Sequence, residues 1–431
     1  MQKPPSVQEL APALEQSSHG YSIGPVVRWA IAMNRGSIAS GGLPSAVGLG
    51  MRHNSYMVHP RTILLLACAP VFAQQYAIAT IAGNGVGGAY FTYPTSVAVD
   101  AAGDVYVADW SGYIRKVFVQ EGASTIVAGT GILGYGGDGG QATNAMIGKA
   151  ISLALDSAGN LYFADGDNNR IRRVDALTGI ITTVAGGGTA ADGGDGGPAV
   201  SAVVWQPTGI TVDAAGDLYF SGSWAQVRKV SAATGIIETV AGQAITSFGG
   251  DNGPAVDALF WDPMPSAVAP SGNLYIADFE NSRVRMVTAA TGIVTTVAGS
   301  GNCARGVPPL NVLVCQSGFS GDDGPATEAT LNYPSSVALD PAGNLYIADT
   351  VNHRIRWVNA ESGFIYTIAG NGQNGFSGDG GPALAAEFSF PASIALDQSG
   401  RVYFADENNN RVRLLTPATS EFRLFRQRPR R

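Results

Sequence analysis

The chain contains six copies of one sequence unit, and this internal repeat constrains the fold more than any other feature. One glycine recurs at intervals of 56, 57, 56, 71 and 57 residues. The six positions are Gly103, Gly159, Gly216, Gly272, Gly343 and Gly400. A period of this length indicates that each copy is one supersecondary unit, which buries its apolar residues against its neighbours.

Each copy contains four short segments of strand-forming residues. In the first copy these are PTSVAVD from Pro94, VYVAD, YIRKV and a fourth segment, which in other copies reads GIITTVAG or GIVTTVAG. The segments are rich in Val, Ile, Tyr and Thr and are separated by Gly, Asn, Asp or Pro, a pattern typical of consecutive hairpins. The sequence therefore predicts an all-β fold, a six-bladed β-propeller of four-stranded antiparallel blades.

The last copy lacks a clear fourth strand, because Leu415 is followed by TPATSEFRLF. At the other end of the repeats, YAIATIAG from Tyr76 matches YTIAG of residues 366–370. We expect this N-terminal strand to complete the last blade and close the ring, which removes exposed sheet edges. The segment SEFRLF is the alternative for that strand.

The run TVNHRIR from Thr350, preceded by LYIAD, resembles the NHL repeat, and all six copies from about Tyr76 to Leu415 fit its pattern. The recurring Gly-Asp-Xaa-Gly-Pro-Ala insert is similar to that of secreted bacterial NHL proteins. The resemblance implies the propeller fold. It leaves the activity open, because propellers include binding modules, scaffolds and enzymes.

The segment before the repeats predicts secretion. TILLLACAPVFA, residues 62–73, is an apolar run preceded by Arg52 and Arg61; it suits a signal peptide and is too short to span a bilayer. A short buried strand and lipoprotein anchoring at Cys68 are the alternatives. Because fifty residues precede Met51, we expect translation to begin there or at Met57. The expected domains are an untranslated or disordered extension (1–50), a signal peptide (51–73), the propeller (74–415) and a basic tail (416–431).

The net charge limits which partners the chain can bind, and its cysteines indicate the compartment in which it resides. Without residues 1–73 the chain has 21 Lys and Arg against 31 Asp and Glu, which excludes nucleic acid binding because that needs a basic surface. Cys303 and Cys315 remain, both in a connection about fifteen residues longer than its counterparts. In an oxidising compartment they are expected to form a disulfide. We expect a secreted or periplasmic monomer.

Two recurring charged positions predict structural roles. The second arginine of the third segment occurs in every copy: Arg115, Arg172, Arg228, Arg285, Arg356 and Arg413. An aspartate ends the second segment in five copies: Asp109, Asp165, Asp278, Asp349 and Asp406, with Ser221 in the third. A catalytic centre in a ring is made once, so we interpret the recurrence as an Asp–Arg pair joining the second and third strands. A ring of carboxylates around the channel is the alternative.

Five connections between copies carry a Gly-Asp pair, at Asp138, Asp195, Asp251, Asp322 and Asp379. We interpret these aspartates as Asx turns. Calcium is an alternative that the sequence does not indicate, because hard cations prefer six or more oxygen ligands. We expect no cofactor.

No catalytic residue or metal ligand stands out in the sequence. His353 is the sole histidine after residue 73, so a zinc site with several histidine ligands is excluded. A metal-dependent hydrolase or lactonase, similar to gluconolactonase and acting in the channel, stays open because Asp and Asn abound.

The differences between copies indicate where a ligand binds. Loops between second and third strands share one face with the long connections, and loops on a rigid frame commonly carry recognition. The candidate binding residues there are Trp110, Asp167, Trp224, Phe279, Glu280 and Glu407. The alternative is that the aromatic residues pack under neighbouring loops. We expect a non-catalytic binding or scaffold module that recognises a protein, peptide or carbohydrate.

Overall fold

The computed structural model describes residues 75–85, 90–189, 193–222, 225–301, 303–305, 313–315 and 317–418. These residues form six antiparallel sheets of four or five strands each, and a separate two-stranded sheet. The inner strands pack beside one another in sequence order, and the inner strand of the last sheet packs beside that of the first. The predicted all-β, six-bladed propeller is confirmed. The predicted extension, signal peptide and basic tail lie outside the described residues, apart from residues 416–418.

Each blade begins with its inner strand and moves outward. Strand β1 spans Tyr76–Ala82. Blade 1 contains β2 (Pro94–Val99), β3 (Val105–Asp109), β4 (Ile114–Phe118) and β5 (Ala123–Ala128). Blade 2 contains β6 (Ala150–Leu155), β7 (Leu161–Asp165), β8 (Arg170–Val174) and β9 (Ile181–Ala185). Blade 3 contains β10 (Pro207–Val212), β11 (Leu218–Gly222), β12 (Gln226–Val230) and β13 (Ile237–Ala241).

The second half of the ring follows the same order. Blade 4 contains β14 (Pro263–Val268), β15 (Leu274–Asp278), β16 (Arg283–Val287) and β17 (Val294–Ala298). Three short strands follow, β18 (Cys303–Arg305), β19 (Leu313–Cys315) and β20 (Gly324–Pro325). Blade 5 contains β21 (Pro334–Leu339), β22 (Leu345–Asp349), β23 (Arg354–Val358) and β24 (Phe364–Ala369), with β20 at its outer edge. Blade 6 contains β25 (Pro391–Leu396), β26 (Val402–Asp406) and β27 (Arg411–Pro417).

The described helices are three-residue 3₁₀ turns, so none of them is long enough to cross a bilayer. Five lie in connections between blades: Ala142–Asn144, Ala199–Ser201, Ala255–Asp257, Ala326–Glu328 and Ala383–Ala385. Three join the second and third strands of their blades: Gly166–Asn168, Thr350–Asn352 and Glu407–Asn409.

The N-terminal strand closes the ring, as predicted. Strand β1 pairs antiparallel with β27, so that Ile78 lies opposite Leu415 and both are buried in the core. The Tyr76 hydroxyl also lies 3.2 Å from the hydroxyl of Tyr346 in blade 5. The two ends of the repeat region thus share one sheet. The alternative segment SEFRLF lies outside the described residues.

Serines on the inner strands link neighbouring blades around the channel. Four hydroxyls accept hydrogen bonds from backbone N–H groups of the next blade. These bonds join Leu153 to Ser96 (3.0 Å), Ile210 to Ser152 (3.3 Å), Ile394 to Ser336 (3.1 Å) and Val97 to Ser393 (3.2 Å). The bonds satisfy inward-facing backbone donors, which would be costly to bury unpaired.

A buried arginine in each of four blades bridges two aspartates. In blade 5, Arg356 is fully buried; one nitrogen donates to Asp349 at 3.2 Å and another donates to Asp322 at 2.8 Å. The arginines of blades 2, 4 and 6 also pair with two aspartates each. In blade 1 the arginine pairs only with the aspartate that ends the second strand, whereas in blade 3 Arg228 pairs only with Asp195 of the preceding connection. The predicted Asp–Arg pair between second and third strands is confirmed in five blades.

The Gly-Asp aspartates differ from the Asx turns that we expected. Each of the five accepts a hydrogen bond from the arginine of the blade that follows it in the chain. Asp322 also accepts from the Thr367 hydroxyl at 2.7 Å, and Asp138 and Asp251 accept from equivalent threonines. These carboxylates therefore anchor the long connections onto the blades.

The backbone of the longest connection brings its cysteines together. Strands β18 and β19 pair antiparallel, and Cys303 lies directly opposite Cys315. Opposite residues of an antiparallel pair have Cα atoms about 4.5–5.5 Å apart, within the range of about 4.4–6.8 Å that a disulfide spans. The bond itself stays a prediction.

We expect the unfolded, unreduced protein to show no free thiol at Cys303 or Cys315. Replacing both with serine should lower the free energy of unfolding by about 3 kcal/mol, the chain-entropy value for a loop of this size. Thiol titration and urea unfolding measure the two effects. Two reactive thiols per chain, once Cys68 has been removed by cleavage or substitution, would contradict the assignment.

Candidate binding site at the loop face

The two faces of the ring differ in their connections. The turn face carries the turns between first and second strands and between third and fourth strands. Its turns are nearly uniform: Gly103 and its five equivalents have φ between 76° and 85°. The loop face carries the loops between second and third strands and the long connections. Differences among the blades concentrate there.

The described lining of the channel between the inner strands has no ionisable side chain. The channel holds a cavity of about 290 Å³, and its described lining consists of Ser, Thr, Val, Ala, Leu and Ile. The aspartates that end the second strands are fully buried against arginines, so the alternative of a carboxylate ring around the channel is wrong. Among the described residues, no three His, Cys, Asp or Glu side chains gather to hold a metal ion.

The residue before each inner strand stands at the loop-face end of the channel. These residues are Tyr93, Lys149, Gln206, Asp262, Tyr333 and Phe390, and with the adjoining loops between second and third strands they form what we term the loop-face mouth. All but Lys149 have positive φ, between 39° and 57°. Side chains larger than glycine are strained in that region, at a cost of about 1–3 kcal/mol each. Such strain clusters at functional sites.

Trp110 lies at the loop-face mouth and is half-buried. Its ring packs against Tyr93, with ring centroids 5.1 Å apart. The ammonium nitrogen of Lys149 lies 4.7 Å from the centre of the Trp110 ring, within the range of a cation–π interaction. Asp167, in the equivalent loop of blade 2, is exposed and accepts a hydrogen bond from the Lys149 backbone at 3.2 Å. The structure brings these two candidates beside one lysine.

Phe279 and Glu280 lie where blade 4 meets blade 5. Phe279 is buried, and its ring packs on Tyr333 with centroids 4.9 Å apart. Burial, together with the charge of Asp262, raises the pKa of Glu280 to about 7. Burial and the neighbouring Glu280 raise the pKa of Tyr333 to about 12. This side of the mouth is therefore aromatic and acidic.

Glu407 occupies the same loop position in blade 6 that Trp110 and Phe279 occupy in their blades. Its backbone donates to the Phe390 carbonyl at 3.3 Å. The side chain is buried, and burial alone raises its pKa to about 7. Trp224 lies outside the described residues.

His353 has a structural role that sequence reasoning missed. Its Nδ1 accepts a hydrogen bond from the Phe390 backbone at 3.3 Å, which ties blade 5 to blade 6. Burial lowers its pKa to about 4, so the ring stays neutral. Asn169 and Asn410 accept equivalent bonds from Gln206 and Tyr93. The sequence did contain a signal for this role. A side chain that can accept a hydrogen bond recurs at one loop position in several blades.

Similarity to known proteins agrees with this architecture. Residues 267–359 match the family model of the teneurin NHL domain, and residues 388–413 match that of the NHL repeat. Mouse teneurin-4 is 33% identical over 62% of this chain and 10% of its own length. Bovine NHL repeat-containing protein 2 is 29% identical over 62% of this chain and 39% of its own length.

Solved structures show the same fold at low sequence identity. An auxiliary nutrient binding protein from Bacteroides thetaiotaomicron superimposes with a TM-score of 0.55 at 16% identity, covering 80% of this chain and 77% of that protein. The fold and the matched repeats define a six-bladed propeller with a variable loop face. The chain is an NHL-repeat β-propeller. It spans well under half the length of the curated relatives named above, so their whole activities do not transfer to it.

Proposed function

We propose that this propeller is a non-catalytic binding module that recognises a protein, peptide or carbohydrate at the loop-face mouth. The observation that carries the proposal is the strained ring of residues before the inner strands. Five positions whose backbone favours glycine hold Tyr, Gln, Asp, Tyr and Phe instead. Because these side chains are kept at an energetic cost, we expect them to contact a ligand and not only the propeller itself.

The composition of the mouth supports recognition. Aromatic side chains and a few polar groups around a concavity are typical of ligand sites, and exposed aromatic surface is costly to keep without a partner. Tyr93, Trp110, Tyr333 and Phe390 are all half-buried at the mouth. The channel below offers no ionisable group among its described lining residues, so it supports binding better than chemistry.

A thermal-shift panel of peptides and oligosaccharides with cationic, neutral and anionic ends tests the proposal, because a ligand that binds only the folded state raises the melting temperature. Trp110→Ala is expected to weaken binding of any hit about tenfold or more, as for a central tryptophan of an interface. Gln398→Ala, on the turn face, should leave binding unchanged. No hit from any class, or a loss confined to Gln398→Ala, would overturn the proposal.

A further inference from the structure

Glu407 is a buried acid without a partner. The residue is 6% exposed, and the described residues provide its carboxylate with neither a hydrogen bond nor an ion pair. A carboxylate withdrawn from most of the solvent is costly to ionise, because little of its hydration remains and no described protein group replaces what is lost. The two arginines of β27, the strand that follows Glu407, are engaged: Arg413 bridges Asp406 and Asp379, and Arg411 stacks on Phe376.

The repeat shows where the Glu407 side chain extends. At this position in blade 5, the Thr350 hydroxyl donates to the Pro391 carbonyl at 2.9 Å, at the start of the next inner strand. In blade 4, the Phe279 ring packs on Tyr333, one residue before the next inner strand. The turn that carries Glu407 likewise contacts β2 of blade 1. The side chains at this position in blades 4 and 5 thus lie at the junction with the next blade, which for Glu407 is the junction with blade 1.

The surroundings of Glu407 favour a positive ligand. Asp262 and Glu280 add two further carboxyl groups to the same mouth; burial raises the pKa of both, and a bound cation would favour their ionised forms. Aromatic rings attract cations through their faces, and Lys149 already uses the Trp110 ring in this way. A ligand cation reaching Glu407 would offset the cost of its burial.

We propose that the loop-face mouth accepts a primary ammonium group, such as the end of a lysine side chain in a peptide, with Glu407 as its counter-ion. This inference rests on the proposed function and specifies its ligand class. It predicts preference for an ammonium over the same group acetylated, because acetylation removes the charge that Glu407 neutralises.

The test uses the blocked tripeptide acetyl-Gly-Lys-Gly-amide and its Nζ-acetylated form, titrated calorimetrically at about 150 mM salt to screen long-range attraction. Glu407→Gln is expected to weaken the lysyl peptide about 30-fold, as when one partner of a buried charge pair is removed. Glu361→Gln is the matched control, because it removes the same charge from an exposed turn-face position and should change nothing. Wild-type affinity should also fall from pH 8 to pH 5 as Glu407 is protonated.

The outcomes separate this inference from the proposed function. Equal affinity of wild type and Glu407→Gln for the lysyl peptide would overturn the ammonium site. If Trp110→Ala still weakened a neutral ligand of the panel, the binding function would stand without it. Failure of every panel compound to bind would overturn both. Circular dichroism of each variant confirms that it is folded.

Discussion

Replacing Arg356 with methionine is expected to lower the free energy of unfolding by about 3–5 kcal/mol. The substitution leaves Asp349 fully buried without its cation and frees Asp322 from the blade. It also deprives the Ser320 carbonyl of a donor at 3.1 Å. Urea unfolding at neutral pH measures the loss.

Arg115→Met is the matched control for this prediction. Arg115 occupies the equivalent position in blade 1 and is 18% exposed; among the described carboxylates it pairs with Asp109 alone, because no Gly-Asp connection precedes that blade. Its substitution should cost clearly less than that of Arg356. Equal losses, or a loss below about 1 kcal/mol for Arg356→Met, would show that the bridge between two aspartates is not what holds blade 5 to its connection.

Glu407→Gln is expected to stabilise the free protein, by about 3 kcal/mol at pH 8 and not at all at pH 4. In the unfolded chain Glu407 ionises near its ordinary pKa of 4.5, whereas in the fold its pKa is raised to about 7. The folded state therefore holds the proton more tightly, and stability falls as the pH rises from about 4.5 to 7. Glutamine removes this loss, because each unit of pKa shift corresponds to about 1.4 kcal/mol.

The difference between wild type and variant, followed by urea unfolding across this pH range, isolates Glu407 from other buried acids such as Glu280. Glu361→Gln should show no pH-dependent difference, since the residue is exposed. A Glu407→Gln variant less stable than wild type at pH 8 would mean that the carboxylate is stabilised by a partner in the fold. That result would remove the basis for the ammonium site.

The fold could be predicted from the sequence because six copies report the same strands independently. Short strands separated by turn residues identify hairpins, and the orphan strand at Tyr76 matches a segment missing from the last blade. Pairing of β1 with β27 follows from the need to leave no open edge. The Asp–Arg pairs between adjacent strands were also predictable, since their spacing is short, six residues in blade 1 and seven in the other four.

The second aspartate of each arginine bridge was not predicted, because it precedes its arginine by 34 residues and no local rule joins them. The signal lay in the copies: Asp138, Asp251, Asp322 and Asp379 all keep that spacing to their arginines. Blade 1 lacks both the Gly-Asp connection and the second bond. The serine links around the channel are equally non-local: three join residues 57 or 58 positions apart in neighbouring blades, and the fourth, from Val97 to Ser393, joins residues 296 positions apart where the ring closes.

The candidate site was only partly predictable. A loop position places Trp110, Phe279 and Glu407 on one face, but burial of each depends on the neighbouring blade. The sequence alone cannot state that Tyr333 covers Phe279 or that Glu407 has no ion-pair partner among the described residues. The residues before the inner strands were missed altogether, since their positive φ shows only in the folded backbone.

Hydrogen–deuterium exchange with the tightest-binding compound of the panel tests most directly whether recognition belongs to the loop-face mouth. We expect slower exchange in segments around Tyr93, Trp110, Phe279, Tyr333 and Glu407 when the ligand is bound, with the turns at residues 100–104, 156–160 and 397–401 unchanged. Protection confined to those turns, where a second cavity of about 500 Å³ is lined by Asp100, Asp156 and Asp397, would contradict it.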